Sequence, residues 1–398
     1  MSSQVRMIGS AEFQVVQATL RVDSDRDLAI RTAARRLLDW QRMQRLARFH
    51  RVLPLVYERL RAIAPGLVPP GAMQEMAAFR KANELHTFQM TADLVRVVRA
   101  LEDEGISVLC LKGPMLATLV YGDPALRCFE DLDILVQLSD YPRAEATLTA
   151  LGFTPVISKI FPASQTTDRA FAVERERHFV FPHRRYCLEM HWRITTRELP
   201  RALGPIGLFQ RSRRVVVNGQ PLSTLGDYDV AMHVCHHGMY HGWKELSYVV
   251  DFAAALLAVG PQQWEALLAR AREQGLYRPM LVGMRLCHAL LGLALSQEII
   301  HACSRDLVAR WIASSLQAYY SRSSEWGEFQ LFVLIFRLFT VEKGRTRAVL
   351  ALVSIMFTPT VSDYQRIALP AYLRWLYPVL SLVRRTGEAL AAIRGQFR

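Results

Sequence analysis

The chain has 398 residues, of which 51% are hydrophobic and 21% are charged. This composition excludes a disordered chain, and the length exceeds what one compact core organises, so two or three structural units are expected. The net charge of +13 comes from 49 basic and 36 acidic residues. A basic balance favours association with nucleotides, nucleic acid or anionic surfaces, but it does not define a chemistry.

The cysteines and the N-terminus indicate the compartment. The six cysteines are widely spaced and form no CxxC pair, which is typical of reduced core residues. The N-terminal sequence MSSQVRMIGSAEF has no uninterrupted apolar run, so no secretory signal is expected. The longest uncharged stretch, Ala348 to Ser362, is too short to span a bilayer. We therefore expect a cytoplasmic protein with no transmembrane segment.

Amphipathic helices are predicted first along the chain. From about Asp25 to Ile63, apolar residues recur at helical spacing between arginines. Residues 64–72 hold three prolines and two glycines and form a candidate boundary. A long helix is then predicted from about Met73 to Glu104, and Gly105 is suited to end it.

The hydrophobic period changes after this helix. Residues 106–111 are an apolar run that fits a buried strand, and the sequence Lys112-Gly113-Pro114 follows directly. Proline is suited to the first turn of a helix, so this region predicts a strand, a glycine turn and a helix. A second strand is predicted from Asp131 to Leu138 and a helix from Tyr141 to Leu151.

The remaining pattern completes the fold class. Residues 178–183 and 186–194 predict a hairpin, and beyond Gly226 the pattern is helical to the end. We expect an α+β protein with a small mixed β-sheet flanked by helices. Its predicted units are an N-terminal helical segment (1–85), a core (86–222) and a C-terminal helical domain (223–398).

Two carboxylates are predicted to share one face of the second strand. Side chains alternate along a strand, so Asp131 and Asp133 project to one side while Leu132, Ile134 and Val136 enter the core. Adjacent carboxylates repel each other unless cations or solvent neutralise them, and oxygen ligands of this kind suit Mg²⁺. The alternative is a pair of solvated residues at a strand end.

A third carboxylate is predicted on the strand Tyr186 to Ile194. Alternation places Cys187, Glu189, His191 and Arg193 on one face. If this strand lies beside the Asp131 strand, Glu189 can bind a shared metal ion or take the proton of an acceptor. The sequence leaves that pairing open, and an ordinary ion pair of Glu189 with Arg193 or Arg127 is the alternative.

Phosphate binding is predicted at the turn before the helix. Gly113 permits close approach of the backbone, and the helix N-terminus that follows adds a positive dipole. Lys112 and Arg127 supply full charges on either side of the turn and the carboxylate strand. The alternative for Lys112 is a surface charge, although the chain has only five lysines.

These segments together carry a resemblance to a known family. They are Leu111-Lys112-Gly113, Tyr121-Gly122-Asp123-Pro124, Arg127, Asp131 to Val136, Leu151-Gly152-Phe153, Glu189 to Arg193, His237 and Asp251. In them the chain resembles the bacterial uncharacterised nucleotidyltransferase family of the polymerase β superfamily. The resemblance implies the glycine role for Gly113 and the metal pair for Asp131 and Asp133. It also implies the third carboxylate for Glu189, and it places His191 and His237 in the substrate cleft.

The chain departs from the superfamily motif at one position. Where the motif has Gly or Ser after the glycine, this chain has Pro114, which lacks both a hydroxyl and an N–H. Lys112 or Arg127 must then supply the missing phosphate donor, or the activity is altered.

A histidine stripe offers a different interpretation of the helical region. His233, His237 and His241 follow at helical spacing and could bind zinc. No cysteine pair or spaced carboxylate completes a standard zinc site, so the favoured interpretation is histidines packed beside the cleft.

The function that the resemblance implies is a metal-dependent nucleotidyl transfer. The cofactor would be Mg²⁺ or Mn²⁺, the co-substrate a nucleoside triphosphate, and the acceptor an unidentified hydroxyl of a small molecule, sugar or protein, with release of pyrophosphate. One alternative is a non-catalytic member that binds nucleotide or a partner. Another is a toxin-like enzyme that modifies transfer RNA, but no compact RNA-binding motif is present, so nucleic acid is not the favoured partner.

Overall fold

A computed structural model describes residues 5–156, 175–181, 186–194, 205–322, 357 and 369–395 of the chain. The turn of the predicted hairpin, residues 182–185, and all of the stretch 348–362 except residue 357 lie outside the described residues. Among the residues that are described, no helix is both long and apolar enough to cross a membrane.

Helices precede and follow a central sheet. The N-terminal helices are α1 (Ala11–Leu20), α2 (Arg26–Ala34), α3 (Trp40–Phe49), α4 (Leu53–Ile63) and α5 (Pro70–Asp103). Two helices lie between the early strands, α6 (Gly113–Tyr121) and α7 (Tyr141–Ala150). The later helices are α8 (Pro205–Gln210), α9 (Asp227–Tyr240), α10 (Leu246–Val259), α11 (Trp264–Glu273), α12 (Tyr277–Leu291), α13 (Gln297–Arg305), α14 (Leu307–Arg322) and α15 (Tyr377–Gly395).

Local signals set several of the helix ends. The side chains of Ser10 and Asp39 accept hydrogen bonds from the first turns of α1 and α3. Helix α5 begins at Pro70, and Gly105 follows its last turn with a φ of +71°. The long helix predicted from Met73 to Glu104 is therefore confirmed, with its start three residues earlier.

The sheet is mixed and has seven described strands. They are β1 (Leu109–Cys110), β2 (Asp131–Leu135), β3 (Thr154–Pro155), β4 (Glu176–Val180), β5 (Cys187–His191), β6 (Arg213–Val217) and β7 (Gln220–Thr224). Their order is β3-β4-β5-β2-β1-β7-β6. The pairs β2–β5 and β1–β7 are parallel, and the other neighbouring pairs are antiparallel. The predicted α+β class with a mixed sheet is confirmed.

Two predicted strands are shorter than expected, for local reasons. Strand β1 ends at Cys110 because the backbone turns at Lys112 into Gly113, which has a positive φ. Strand β2 ends at Leu135, and residues 138–140 form a 3-10 turn that leads into α7. Both strands keep the predicted position, and β2 keeps the predicted alternation.

One hydrophobic cluster lies between the sheet and two helices. It joins Leu94 and Leu101 of α5 and Leu148 of α7 to the strand residues Leu132 and Ile134, all at most 1% exposed. Fully burying a side chain of this size stabilises the fold by roughly 1.5–3 kcal/mol. Because this face of β2 is covered, the carboxylates of the same strand must point to the opposite face.

A second cluster joins the N-terminal helices to the later helices. Phe13 and Val16 of α1 share it with Leu286 and Leu290 of α12 and other residues of the later helices. A backbone hydrogen bond also connects these regions, because the amide of Val22 donates to the carbonyl of Leu291 at 2.8 Å. Helix α5 continues through the boundary predicted at residues 85–86; the division into three units stays a prediction.

Candidate functional site

Strands β2 and β5 lie side by side and parallel, which brings the predicted acidic residues together. Asp133 is in register with Glu189, and Asp131 is in register with Cys187. The intervening residues Leu132 and Leu188 are fully buried on the helix-covered face. The two aspartates and Glu189 therefore extend from the opposite face of the sheet, as the alternation of the sequence predicts. We call this side of β2 and β5 the acidic face.

Asp133 is the centre of this face. One of its oxygens, Oδ1, lies 2.8 Å from Nζ of Lys112 and 3.1 Å from Nε2 of His191. The other oxygen, Oδ2, is buried and has no hydrogen-bond partner among the described residues. A buried anionic oxygen without a partner is costly, so Oδ2 is an atom that a cation would stabilise.

Opposite charges favour the ionised forms of Asp133, Lys112 and His191. Burial opposes ionisation of Asp133, but Lys112 and His191 outweigh that effect and hold the pKa of the carboxyl well below its usual range. Burial likewise lowers the pKa of Lys112, but Asp133 and Asp131 raise it above its usual value. Burial opposes protonation of His191, but the nearby carboxylates of Asp133 and Glu176 outweigh it and raise the pKa of the imidazole well above its usual value. The imidazole is therefore protonated and acts as a donor.

Glu189 and Asp131 differ in their position relative to Asp133. Ligand atoms of Asp133, Glu189 and His191 all lie within 4.8 Å of one another, a spacing that could hold a metal ion. Asp131 does not belong to that group among the described residues. Burial, followed by the charge of Asp133, raises the pKa of Asp131 to about 6. Glu189 also contributes to that rise, so the three carboxylates act on one another.

Strand β4 adds two residues that the sequence interpretation missed. It pairs antiparallel with β5, so that Glu176 lies opposite His191 and His178 lies opposite Glu189. Oε2 of Glu176 is 3.0 Å from Nδ1 of His191, the ring nitrogen that faces away from Asp133. The predicted hairpin of residues 178–183 and 186–194 contains the signal for His178, but it begins too late to include Glu176.

The turn from β1 into α6 passes close to the acidic strand. The amide of Leu111 donates to the carbonyl of Asp133 at 3.0 Å, and Gly113 follows with a φ of +55°. A Cβ atom at Gly113 would lie 3.2 Å from the carbonyl oxygen of Asp131. The glycine is therefore needed both for its backbone conformation and for the close approach of the two segments.

Two glycine variants distinguish the effect of the left-handed backbone from the effect of the close approach to Asp131. Gly113→Ala is expected to destabilise the protein by about 2 kcal/mol, from left-handed strain and the contact with Asp131. Gly122→Ala is the matched control, because Gly122 has a φ of +72° and a Cβ atom added there would meet nothing within 4 Å. It should cost about 1 kcal/mol, from strain alone. Chemical denaturation measures both losses, and equal losses would contradict the close-approach argument.

Arg127 lies beside the acidic face, and its guanidinium is held in place by an ion pair. Its Nε is 2.9 Å from Oδ2 of Asp251, and the hydroxyl of Tyr121 donates to Oδ1 of the same carboxylate at 2.6 Å. Asp251 and the charge of Asp131 keep the pKa of Arg127 above its usual value despite burial. Nη1 of Arg127 is buried without a hydrogen-bond partner among the described residues, which leaves one donor of the fixed guanidinium unused.

Helix α9 brings histidines to the same region. His233 is 4% exposed, and neither of its ring nitrogens has a hydrogen-bond partner in the described part of the chain. Burial and the nearby charge of Lys112 hold the pKa values of His233 and His237 well below the usual range, so both rings are neutral. Neither metal-ligand group found among the described residues includes a member of the stripe His233, His237 and His241.

Comparison with known proteins identifies the family. The model of a family described as "Uncharacterised nucleotidyltransferase" matches residues 37–292, which is more than half of the chain, so the chain belongs to that family. The resemblance seen in the sequence is confirmed. No curated protein matches the chain.

Among solved structures, the chain is similar to one described as the solution structure of the antibiotic-resistance factor ANT(2'')-Ia. The match has 12% sequence identity and a TM-score of 0.34, and it covers 46% of this chain and 92% of that one.

Proposed function

We propose that the chain is a metal-dependent nucleotidyltransferase that moves a nucleoside monophosphate from a nucleoside triphosphate to an acceptor, with release of pyrophosphate. The acceptor would present a hydroxyl or a similar nucleophile on a small molecule, sugar or protein. Family membership supports nucleotidyl transfer in general. The finer proposal depends on the acidic face of β2 and β5.

One observation carries this proposal. Lys112 and His191 both contact Oδ1 of Asp133, while the buried Oδ2 has no hydrogen-bond partner among the described residues. The carboxylate thus has one oxygen fixed by the protein and the other available to a cation. Oxygen ligands on a rigid strand fit Mg²⁺ or Mn²⁺, and Asp131, Asp133 and Glu189 are the residues that would hold the ion. When bound, the ion would neutralise charge on the triphosphate.

The other residues have complementary roles in this proposal. Glu189 has a side chain that is 16% exposed, so it can hold an ion shared with the acceptor or, alternatively, take the proton of the acceptor hydroxyl. His191 is protonated and already donates to Asp133, so it orients that carboxylate instead of acting as the base. His233 and His237, both neutral, are proposed to line the acceptor side of the cleft.

Arg127 supplies the phosphate donor that Pro114 lacks. Asp251 and Tyr121 fix the guanidinium, and its unused Nη1 can donate to a phosphate oxygen. Lys112 adds a positive charge at the start of α6, where Gly113 allows close approach to the backbone. The departure at Pro114 is therefore compatible with binding of a triphosphate.

Binding and turnover should be measured together to test the proposal. Isothermal titration with Mg²⁺ and each nucleoside triphosphate should reveal binding that requires the ion. Incubation with triphosphate labelled at the α-phosphate and cell extract should then transfer the label and release pyrophosphate. Binding without transfer or release would instead support the alternative of a non-catalytic family member, which the departure at Pro114 suggests.

The pH dependence of ion binding follows from Asp131. Its pKa is raised to about 6, so the carboxyl is protonated below that pH and loses its capacity to bind a cation. Mn²⁺ affinity is therefore expected to fall by up to about tenfold per pH unit below pH 6. Asp131→Asn should bind Mn²⁺ more weakly than the natural protein above about pH 6, should approach its affinity below that pH, and should show no such decline around pH 6. Equal Mn²⁺ affinity of the natural protein at about pH 5 and about pH 7.5 would contradict this assignment.

A further inference from the structure

A second group of metal-ligand side chains lies next to Asp133 on the acidic face, and it differs from the aspartates in the type of ligand atoms that it offers. We name His178, Cys187 and Glu189 the thiol cluster. Ligand atoms of these three residues all lie within 4.8 Å of one another. All three are half-buried, so the cluster is held by the sheet and is still open to a small ion.

Paired strands fix the geometry of the thiol cluster. Cys187 and Glu189 are two residues apart on β5 and therefore share a face. His178 lies directly opposite Glu189 on the antiparallel neighbour β4, so it projects from the same face. Side chains placed in this way by neighbouring strands need little reorganisation to meet around one ion.

The ligand types select a different class of metal from the Asp133 region. A thiolate, an imidazole and a carboxylate are the ligands that Zn²⁺ takes in proteins, whereas Mg²⁺ and Mn²⁺ favour oxygen alone. Three protein ligands leave one tetrahedral position for water or a substrate atom. The cysteine sets this group apart, because a thiolate contributes little to Mg²⁺ binding.

Glu189 connects the two regions through its two oxygens. Oε1 lies 3.6 Å from Nδ1 of His178, within the thiol cluster. Oε2 lies 3.6 Å from Nε2 of His191, on the side of Asp133. One carboxylate thus faces both groups with separate oxygen atoms, so occupation of one group does not exclude occupation of the other.

We propose that the thiol cluster is a binding site for a zinc-like divalent ion, bridged through Glu189 to the oxygen-ligand region at Asp133. This site is additional to the nucleotidyl transfer proposed above. Any protons that the ion displaces from its ligands pass to solvent.

Co²⁺ is the probe for this site, because a cobalt ion bound to a thiolate absorbs light through charge transfer from sulfur. The full chain, stripped of metal with a chelator, is titrated with Co²⁺ under reducing conditions. The expected result is a saturable charge-transfer absorption that added Zn²⁺ abolishes and added Mg²⁺ does not. Absence of that absorption in the natural protein would overturn the proposal.

Variants assign the absorption to the cluster. Cys187→Ser should lose it, and His178→Gln should weaken Co²⁺ affinity at least about tenfold. Cys128→Ser is the matched control, since Cys128 is also half-buried but lies outside the cluster, and it should retain the absorption. Absorption that persists in Cys187→Ser, or disappears in Cys128→Ser, would overturn the proposal. Circular dichroism of each variant confirms that it is folded, and Cys187→Ala replaces Cys187→Ser if the latter is not.

Because the readout is light absorption by Co²⁺, the experiment is independent of nucleotidyl transfer. A negative result here leaves the transferase proposal intact. Loss of transfer in the earlier assay likewise leaves this site unaffected.

Discussion

Lys112→Met is expected to destabilise the protein by about 3–5 kcal/mol. The side chain of Asp133 is fully buried, and the ammonium of Lys112 lies 2.8 Å from its Oδ1. Removal of the ammonium leaves His191 as the remaining cationic side chain in contact with this buried carboxylate. An incompletely compensated buried charge is among the largest single effects on stability.

A control and a double variant isolate the cause of this loss. Lys81→Met removes a lysine whose partner, Glu84, is exposed, so it should change stability by less than about 0.5 kcal/mol. Adding Asp133→Asn to Lys112→Met should recover most of the loss, because the unpaired charge is then absent. Chemical denaturation measures all four proteins. Similar losses for the two lysine variants would contradict the role of Lys112 as partner of a buried carboxylate.

Asp133→Asn is expected to reduce the rate of pyrophosphate release by about 10³-fold or more. A metal-binding carboxylate supports several kcal/mol of charge stabilisation in the transition state, and each 1.36 kcal/mol corresponds to about tenfold in rate. The amide keeps the shape of the side chain but removes the charge that binds the cation. Rates should be measured on protein shown to be folded, because the change also removes the partner of Lys112.

The matched control for that variant is Asp140→Asn. Asp140 follows β2 at the end of a 3-10 turn, and its contact is a 3.7 Å ion pair with the half-exposed Arg143. Its loss should leave the rate of pyrophosphate release unchanged. If Asp133→Asn were as active as Asp140→Asn, the metal role of Asp133 would be excluded.

Short-range patterns in the sequence predict much of the acidic face. Alternation in residues 131–136 and 186–194 assigns the correct side chains to the two faces, because period 2 is a property of any strand. The glycine turn at Gly113 and the start of α6 are also local features. These parts of the site need no knowledge of distant contacts.

The pairing of strands could not be predicted in the same way. The parallel contact of β2 with β5 joins residues more than fifty positions apart, and strand order depends on how the whole sheet packs. The antiparallel pairing of β4 with β5 agrees with the predicted hairpin, but that hairpin begins at residue 178 and so does not include Glu176. The contact of Arg127 with Asp251 depends on how α10 packs beside the sheet. The β2–β5 and Arg127–Asp251 contacts are tertiary, so no local pattern contains them.

One hairpin was missed although its signal is local. Strands β6 and β7 are joined by Asn218-Gly219, and both residues have positive φ values, +49° and +76°. An Asn-Gly pair between two short apolar runs is a strong hairpin signal. The exposed arginines in β6 weaken its apolar alternation, so the strand itself carries little signal.

Binding of Mn²⁺, followed by electron paramagnetic resonance, tests the central claim most directly. The natural protein should bind Mn²⁺ more tightly when a nucleoside triphosphate is present, and Asp131→Asn, Asp133→Asn and Glu189→Gln should each weaken that binding at least about tenfold. Asp140→Asn should bind as the natural protein does. Mn²⁺ affinity that is unchanged in all three acidic variants would contradict the account, because it would show that these carboxylates do not hold the ion.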